Sequence, residues 1–127
     1  MRILVVEDES LVAEMLSRAL EHLGNSCIVA SDTRTAEKLL DEHAVDAITL
    51  DLTMPGQDGL DWLEAMAGAR PGLARRTLVI TGRPLEAPSV ERLARCGAGI
   101  LAKPFTLDGL QDAVRAQLDH PSLRDAN

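Results

Sequence analysis

The chain has 127 residues, of which 46% are hydrophobic and 26% are charged, and its net charge is −7. This length suits one globular domain with a sizeable core, and the composition excludes an intrinsically disordered chain. No apolar run approaches the roughly 20 residues that a membrane-spanning helix needs. The negative charge argues against binding to nucleic acid, so we expect neither a nucleic-acid partner nor a membrane.

The amino terminus and the cysteines favour the cytoplasm. Residues 1–3 pass directly into an apparent strand, without the apolar segment and cleavage site of a secretory signal peptide. Cys27 and Cys96 each lie within an apolar stretch, which favours buried thiols over a disulfide. We therefore expect a cytoplasmic protein with reduced cysteines.

Strands and helices alternate along the sequence. Continuous apolar runs that end at turn residues are typical of buried parallel strands. They predict strands at residues 2–7, 26–30, 46–51, 76–81 and 98–103. The first helix is predicted from Ser10 to Leu23. Its apolar residues at helical spacing are Leu11, Met15, Leu16, Ala19, Leu20 and Leu23.

Residues suited to helix ends mark three of the other four predicted helices. Asp32 or Thr33 can cap the second helix, and Thr106 can cap the fifth. Pro88 suits the first turn of a short fourth helix that ends near Gly97. In the third helix, Trp62 is expected to be partly buried in the core.

The alternation of elements defines the fold class. Five βα units with right-handed crossovers predict an α/β fold with a doubly wound five-stranded parallel sheet. We expect the flavodoxin-like strand order 2-1-3-4-5, with five helices flanking the sheet. The domain would cover residues 1–118, and residues 119–127 would form a flexible polar tail.

Chemically active residues stand at the ends of four of these strands. Glu7 and Asp8 end the first apolar run, Asp51 the third, Thr81 the fourth and Lys103 the fifth. In an open parallel sheet, ligands bind in the crevice beyond the carboxyl ends of the strands. We therefore expect these five side chains to meet at one place.

That set of side chains suits phosphoryl chemistry. Three carboxylates in one crevice repel one another, so either one takes a proton or a cation lies among them. Oxygen ligands without His or Cys favour a hard cation, and Mg²⁺ is the best match. A carboxylate beside such an ion can attack phosphorus to form an aspartyl phosphate. Lys103 and the metal would stabilise the transferring group, and Thr81 offers it a hydroxyl donor.

Four segments, ILVVEDE, ITLDLTMPGQDGL, LVITG and ILAKPF, resemble the receiver domain of bacterial two-component response regulators. The resemblance covers about residues 1–118 and keeps the order of the motifs. The spacing agrees as well, with 43 residues from Asp8 to Asp51, 30 more to Thr81 and 22 more to Lys103.

The resemblance implies a metal site. Mg²⁺ would bind directly to Asp8, to Asp51 and to the backbone carbonyl of Thr53. Glu7 would act on the metal mainly through water.

The resemblance also implies a role for each residue around the phosphoryl group. Asp51 matches the phosphoacceptor, Thr81 the switch hydroxyl and Lys103 the counter-charge that pairs with phosphate. The bond from Lys103 to Pro104 is similar to one that is usually cis in the family. The domain would be a signalling switch and no enzyme, although it would assist its own phosphorylation and dephosphorylation.

The same resemblance implies partners. The phosphoryl donor would be a phosphohistidine on a sensor histidine kinase or on a histidine phosphotransfer protein. We expect no effector domain after the last predicted helix, so output would pass through contact with a partner protein that the sequence does not identify.

One departure from the family pattern leaves the output open. The position three residues before Lys103 often holds Tyr or Phe in the family, and here it is Ile100. Two prolines, Pro84 and Pro88, restrict the loop before the fourth helix and predict a late start for that helix. A receiver-like interaction scaffold that acts largely independently of phosphorylation is therefore the alternative function.

Two other classes fit the sequence less well. A phosphatase of the haloacid dehalogenase type also uses an aspartyl nucleophile, but it expects a second Asp where this chain has Thr53. A flavodoxin-like FMN binder needs a phosphate loop rich in glycine and hydroxyls after the first strand. The acidic residues 7–9 would repel phosphate there.

Overall fold

A five-stranded parallel sheet forms the centre of the molecule. The structure, a computed structural model, describes residues 1–118, and the predicted tail of residues 119–127 lies outside that range. The strands are β1 (Arg2–Val6), β2 (Ser26–Ala30), β3 (Ala47–Asp51), β4 (Thr77–Thr81) and β5 (Gly99–Ala102). Their order, β2-β1-β3-β4-β5, confirms the predicted doubly wound sheet.

Within residues 1–118 six helices flank the sheet, so the prediction of five is wrong by one. They are α1 (Ser10–His22), α2 (Thr33–Glu42), α3 (Gly59–Ala69), α4 (Pro71–Ala74), α5 (Ala87–Cys96) and α6 (Leu107–Ala113). A π-helical turn, Val114–Leu118, continues α6. The additional helix is α4, whose four residues are too few to produce an apolar period that a sequence pattern could reveal.

The helices of residues 1–118 are short. The longest, α1, has 13 residues, whereas about 20 are needed to cross the hydrocarbon core of a bilayer. None of the helices in this range has the length and apolar character that a membrane span requires.

Side-chain caps fix where two helices begin, as predicted. The carboxylate of Asp32 accepts a hydrogen bond from the backbone N–H of Thr35 at 2.6 Å, at the start of α2. The hydroxyl of Thr106 accepts one from the backbone N–H of Gly109 at 2.9 Å, at the start of α6. Each bond satisfies a donor that the first helical turn would otherwise leave free.

The helix after β4 starts late. It begins at Ala87, three residues beyond Pro84, and Pro88 lies in its first turn. Gly97 ends it with φ of +79°, a left-handed conformation that favours glycine. The prolines and the glycine thus place α5 as the sequence predicts.

Apolar side chains pack against both faces of the sheet. The helices α2, α3, α4 and α5 cover one face, and α1 and α6 cover the other. The first cluster includes Leu4, Leu50, Leu63, Met66 and Leu93. The second includes Ile3, Leu20, Leu78, Ile80 and Leu110. This two-sided packing leaves the carboxyl ends of the strands as the edge where polar groups gather.

Two apolar residues of α1 lie outside the buried stripe. Leu11 is 77% exposed and Met15 is 68% exposed. The face of α1 that contacts the sheet carries Ala13, Leu16 and Leu20 instead. The apolar residues of α1 therefore cover a wider part of the helix surface than the part that is buried. The spacing of apolar residues does not show how much of that surface the neighbouring elements cover.

Trp62 and the cysteines follow the predictions. Trp62 is half-buried against the first cluster and donates a hydrogen bond from Nε1 to Glu37 at 2.9 Å. Cys27 and Cys96 are both free thiols, the first half-buried and the second buried.

Candidate functional site

The strand ends bring the predicted site residues together. Asp51 ends β3 and Thr81 ends β4, while Glu7 and Asp8 directly follow β1. The backbone N–H of Lys103 bonds to the carbonyl of Thr81 at 2.8 Å, which extends the pairing of β4 and β5 by one residue. The parallel sheet therefore aligns groups that are far apart in the sequence.

Three carboxylates form the acidic part of the site. Oxygens of Glu7, Asp8 and Asp51 all lie within 4.8 Å of one another. Glu7 and Asp51 are only 3% and 4% exposed, whereas Asp8 faces solvent. An open cluster of hard oxygen donors is the kind of ligand set that Mg²⁺ prefers.

The cluster has nearly the size that Mg²⁺ requires. Oxygens on opposite sides of the ion are about 4.2 Å apart, because each Mg–O bond is about 2.1 Å. The carboxylate oxygens all lie within 4.8 Å of one another, a span comparable with this distance. The three residues therefore fit the ion.

Lys103 supplies the positive charge of the site. Its Nζ lies 3.5 Å from Oε1 of Glu7 and 3.8 Å from Oδ2 of Asp51. The bond between Lys103 and Pro104 is cis, as expected. With one cation among three carboxylates, the described site retains an excess of negative charge.

Burial and the neighbouring carboxylate change the proton affinity of Glu7. Removal from water, and after it a hydrogen bond with Asp51, together raise the pKa of Glu7 from an ordinary value of 4.5 to about 7. Burial also acts to raise the pKa of Asp51, but the hydrogen bonds from Thr53, together with Glu7 and the charge of Lys103, hold that pKa below its ordinary value. Without a metal, Glu7 therefore holds a proton more readily than Asp51 does.

Thr53 orients the Asp51 carboxylate. Its backbone N–H and its hydroxyl donate hydrogen bonds to Oδ1 of Asp51, at 2.9 Å and 2.7 Å. The family resemblance implies a role for the carbonyl of Thr53, and this role of its hydroxyl was not predicted. A sequence signal existed for the backbone bond alone, because Asp side chains often bond to the backbone two residues on.

The hydroxyl of Thr81 bonds to the loop that precedes α5. It donates to the carbonyl of Arg83 at 3.3 Å and accepts from the backbone N–H of Arg83 at 3.2 Å. Thr81 is 4% exposed, while the side chain of Arg83 faces solvent. Thr81 thus connects the edge of the sheet to the loop.

Ile100 lies at the surface of β5, where it is 42% exposed. It pairs in register with Val79 of β4, one strand away from β3. As an aliphatic residue it has no hydroxyl or ring edge to present to a partner. Any readout at this position therefore depends on apolar contact.

The fold and the site together define a doubly wound α/β protein with an acidic centre that carries one lysine. The family model described as the response regulator receiver domain matches residues 3–115. The chain belongs to this family, the signalling domains of two-component systems.

Sequence relatives point in the same direction. The response regulator MprA of Mycolicibacterium vanbaalenii is 37% identical over 117 residues, which cover 92% of this chain and 50% of that protein. The virulence transcriptional regulatory protein PhoP of Salmonella typhimurium is 32% identical, over 91% of this chain and 51% of PhoP. The chain thus spans about half the length of the curated relatives it matches.

Solved structures share the fold. A CheY-like receiver domain from Methanospirillum hungatei superimposes with a TM-score of 0.86 at 20% identity, over 99% of this chain and 98% of that one. The beryllofluoride-activated receiver domain of NtrC4 gives a TM-score of 0.81 at 29% identity, over 93% of this chain and 96% of that one. The first likeness concerns the fold alone, and the second agrees with the family.

Proposed function

We propose that this domain is a phosphorylation-dependent switch in which Asp51 accepts a phosphoryl group. The observation that carries the proposal is the geometry of the Asp51 carboxylate. Thr53 binds its Oδ1 twice, while its Oδ2 lies 3.8 Å from the ammonium group of Lys103. One oxygen is thus held in place, and the other is directed toward the charge that would neutralise a phosphoryl group.

The transfer step involves a phosphohistidine donor. Oδ2 of Asp51 attacks phosphorus, an O–P bond forms, and the P–N bond of the donor breaks. The electron pair of that bond leaves with the histidine nitrogen, and one proton taken up from solvent makes the departing imidazole neutral. Lys103 stabilises the negative charge that spreads over the phosphoryl oxygens during the step.

Mg²⁺ is the proposed cofactor. Asp8, Asp51 and the backbone carbonyl of Thr53 would hold it, and Glu7 would act through water. When bound, the ion neutralises charge on the carboxylates and on phosphoryl oxygens. The oxygen-only ligand set supports this assignment.

Thr81 is the proposed switch residue. Its hydroxyl bonds to Arg83 in the unphosphorylated domain. A phosphoryl oxygen on Asp51 is a stronger, charged acceptor. The hydroxyl would leave the loop for that acceptor, which frees residues 82–86 before α5 and changes the surface that a partner contacts.

The partners follow from the family. We assign residues 1–118 to the receiver domain, and the donor to a sensor histidine kinase or a histidine phosphotransfer protein in the cytoplasm. The domain would act as a switch that assists its own phosphorylation and dephosphorylation. It would make no direct contact with nucleic acid or membrane, and its output would pass to a protein partner or to a further part of a longer chain.

A scaffold that works without phosphorylation is not favoured. Such a protein has no need for a buried carboxylate oriented by two hydrogen bonds and opposed by a lysine. Glu7 and Asp51 are both nearly inaccessible to solvent, so burying them costs stability without a chemical use.

Intact-mass measurement after incubation with Mg²⁺ and acetyl phosphate tests the proposal. We expect the parent protein to gain the mass of one phosphoryl group and Asp51→Asn to gain none. Asp58→Asn is the matched control, because Asp58 caps α3 outside the acidic cluster, and it should gain the same mass as the parent. No gain in the parent, or an equal gain in Asp51→Asn, would overturn the assignment.

A further inference from the structure

A cavity lies next to the acidic site, on the face of the sheet that α1 and α6 cover. Its volume is about 450 Å³, within the range of 300–1,000 Å³ that is typical of small-molecule sites. Val12, Leu16 and Ala19 of α1 form one wall, and Phe105, Leu107 and Leu110 form the other. The walls between the two helices are therefore apolar.

The floor of this cavity contains an unusual polar group. Thr49 lies there with Ile80, and it is 1% exposed. Its hydroxyl oxygen is buried and has no hydrogen-bond partner within the described part of the chain. A buried hydroxyl without a partner costs free energy, so a bound group that supplied the partner would gain from meeting it.

The cavity is open to ligands. Met15 and Leu107 line it from opposite walls and are 68% and 49% exposed, so it reaches solvent between the two helices. At its other end it reaches Glu7, Asp51 and Lys103. Those acids disfavour an anion, and the apolar walls disfavour a cation because they offer its charge no replacement for water.

We propose that the cavity between α1 and α6 binds a small uncharged molecule that is largely apolar and carries one hydrogen-bonding group for the hydroxyl of Thr49. The apolar walls would supply most of the affinity. A rotation of the Thr49 side chain about its Cα–Cβ bond would turn the hydroxyl toward the ligand. The cavity adjoins the phosphoacceptor site at Glu7, Asp51 and Lys103, and binding to its apolar part can be tested without a metal or a phosphoryl donor.

Indole and indene test the proposal, because they have nearly the same size and shape and only indole has an N–H group. Each is titrated into isotope-labelled protein without metal, and the backbone amide signals are followed by NMR. We expect saturable shifts at residues that line the cavity. Thr49→Val keeps the shape of the side chain and removes the hydroxyl. It should therefore raise the dissociation constant of indole about threefold to tenfold. It should leave indene binding unchanged or stronger.

A cavity-filling variant gives an independent check. Ala19→Leu adds bulk to the α1 wall and should abolish binding of both molecules. Ala87→Leu is the same change at an exposed position of α5 outside the cavity, and it should have no effect. If Ala19→Leu does not fold, the Thr49→Val comparison still decides.

Several outcomes would overturn the proposal. They are the absence of saturable shifts up to the solubility of indole, shifts that map outside the cavity, and equal weakening of indole and indene by Thr49→Val. Loss of binding in Ala87→Leu would also overturn it. Each of these outcomes leaves phosphorylation of Asp51 untouched, so the two proposals fail or succeed separately.

Discussion

Thr53 donates two hydrogen bonds to one oxygen of Asp51. Its backbone N–H lies 2.9 Å from Oδ1, and its hydroxyl lies 2.7 Å from the same atom. The other oxygen, Oδ2, faces Lys103 at 3.8 Å. The two oxygens of this carboxylate therefore have different roles. The bonds to Oδ1 fix the orientation of the group, and Oδ2 is the oxygen that we propose attacks phosphorus.

The substitution Thr53→Val should raise the pKa of Asp51. It removes the hydroxyl donor and keeps both the backbone N–H and the branched shape, so the charged carboxylate loses one stabilising bond. NMR titration of the Asp51 carboxyl carbon in metal-free protein measures the change. Thr53→Ser keeps the donor and should retain the pKa of the parent. An unchanged pKa in Thr53→Val would show that the hydroxyl bond has no energetic weight.

The proton on Glu7 should make the stability of the metal-free protein depend on pH. Because the pKa of Glu7 rises from 4.5 to about 7 on folding, the folded state keeps a proton that the unfolded state has released. The free energy of unfolding should therefore fall as pH rises from about 5 to about 7, by at most about 1.4 kcal/mol per pH unit.

Urea denaturation at several pH values measures this effect. Glu7→Gln holds a neutral side chain of the same shape at every pH, so its stability should lack this component. We expect the difference in unfolding free energy between the parent and Glu7→Gln to shift in favour of the variant as pH rises. Parallel profiles for the two proteins would contradict the raised pKa of Glu7.

The sequence predicts the position of the site better than its internal contacts. Apolar runs identify the strands, and parallel strands must end at one edge, so Asp51, Thr81 and Lys103 are assigned to one place by topology. The bond from Thr53 to Asp51 and the bonds between Thr81 and Arg83 depend on side-chain rotamers and loop conformation. Neither set of bonds produces a periodic pattern of residues in the sequence.

The missed features of the fold have a similar cause. The helix α4 occupies one turn after Arg70, and a single turn carries no repeat. The exposure of Leu11 and Met15 depends on the orientation of α1 relative to α6. The empty space between those helices depends on the sizes of side chains from distant parts of the chain, which a pattern within one helix does not contain.

Gly97 and Gly68 should respond oppositely to alanine. Gly97 has φ of +79°, and a Cβ there would lie 2.7 Å from Cγ of Arg75. We expect Gly97→Ala to lower the free energy of unfolding by about 1–2 kcal/mol, because alanine strains in the left-handed conformation. Gly68 lies within α3, and a Cβ there meets nothing within 4 Å. Gly68→Ala should raise stability by about 0.5–1 kcal/mol. Thermal or urea denaturation distinguishes them, and destabilisation by both changes would contradict this account.

Thr81 contacts the backbone of Arg83 and not its side chain, so the roles of the two parts of Arg83 can be tested separately. Both bonds use backbone atoms of Arg83, whose side chain faces solvent. We therefore expect Arg83→Ala to lose its phosphoryl group at the same rate as the parent. Phosphorylation should also change the NMR signals of residues 82–86 in this variant as it does in the parent. Thr81→Ala should lose most of those shifts, because the hydroxyl that leaves the loop for the phosphoryl group is absent. A different decay rate in Arg83→Ala would show instead that the guanidinium group acts on the phosphoryl group or on the attacking water.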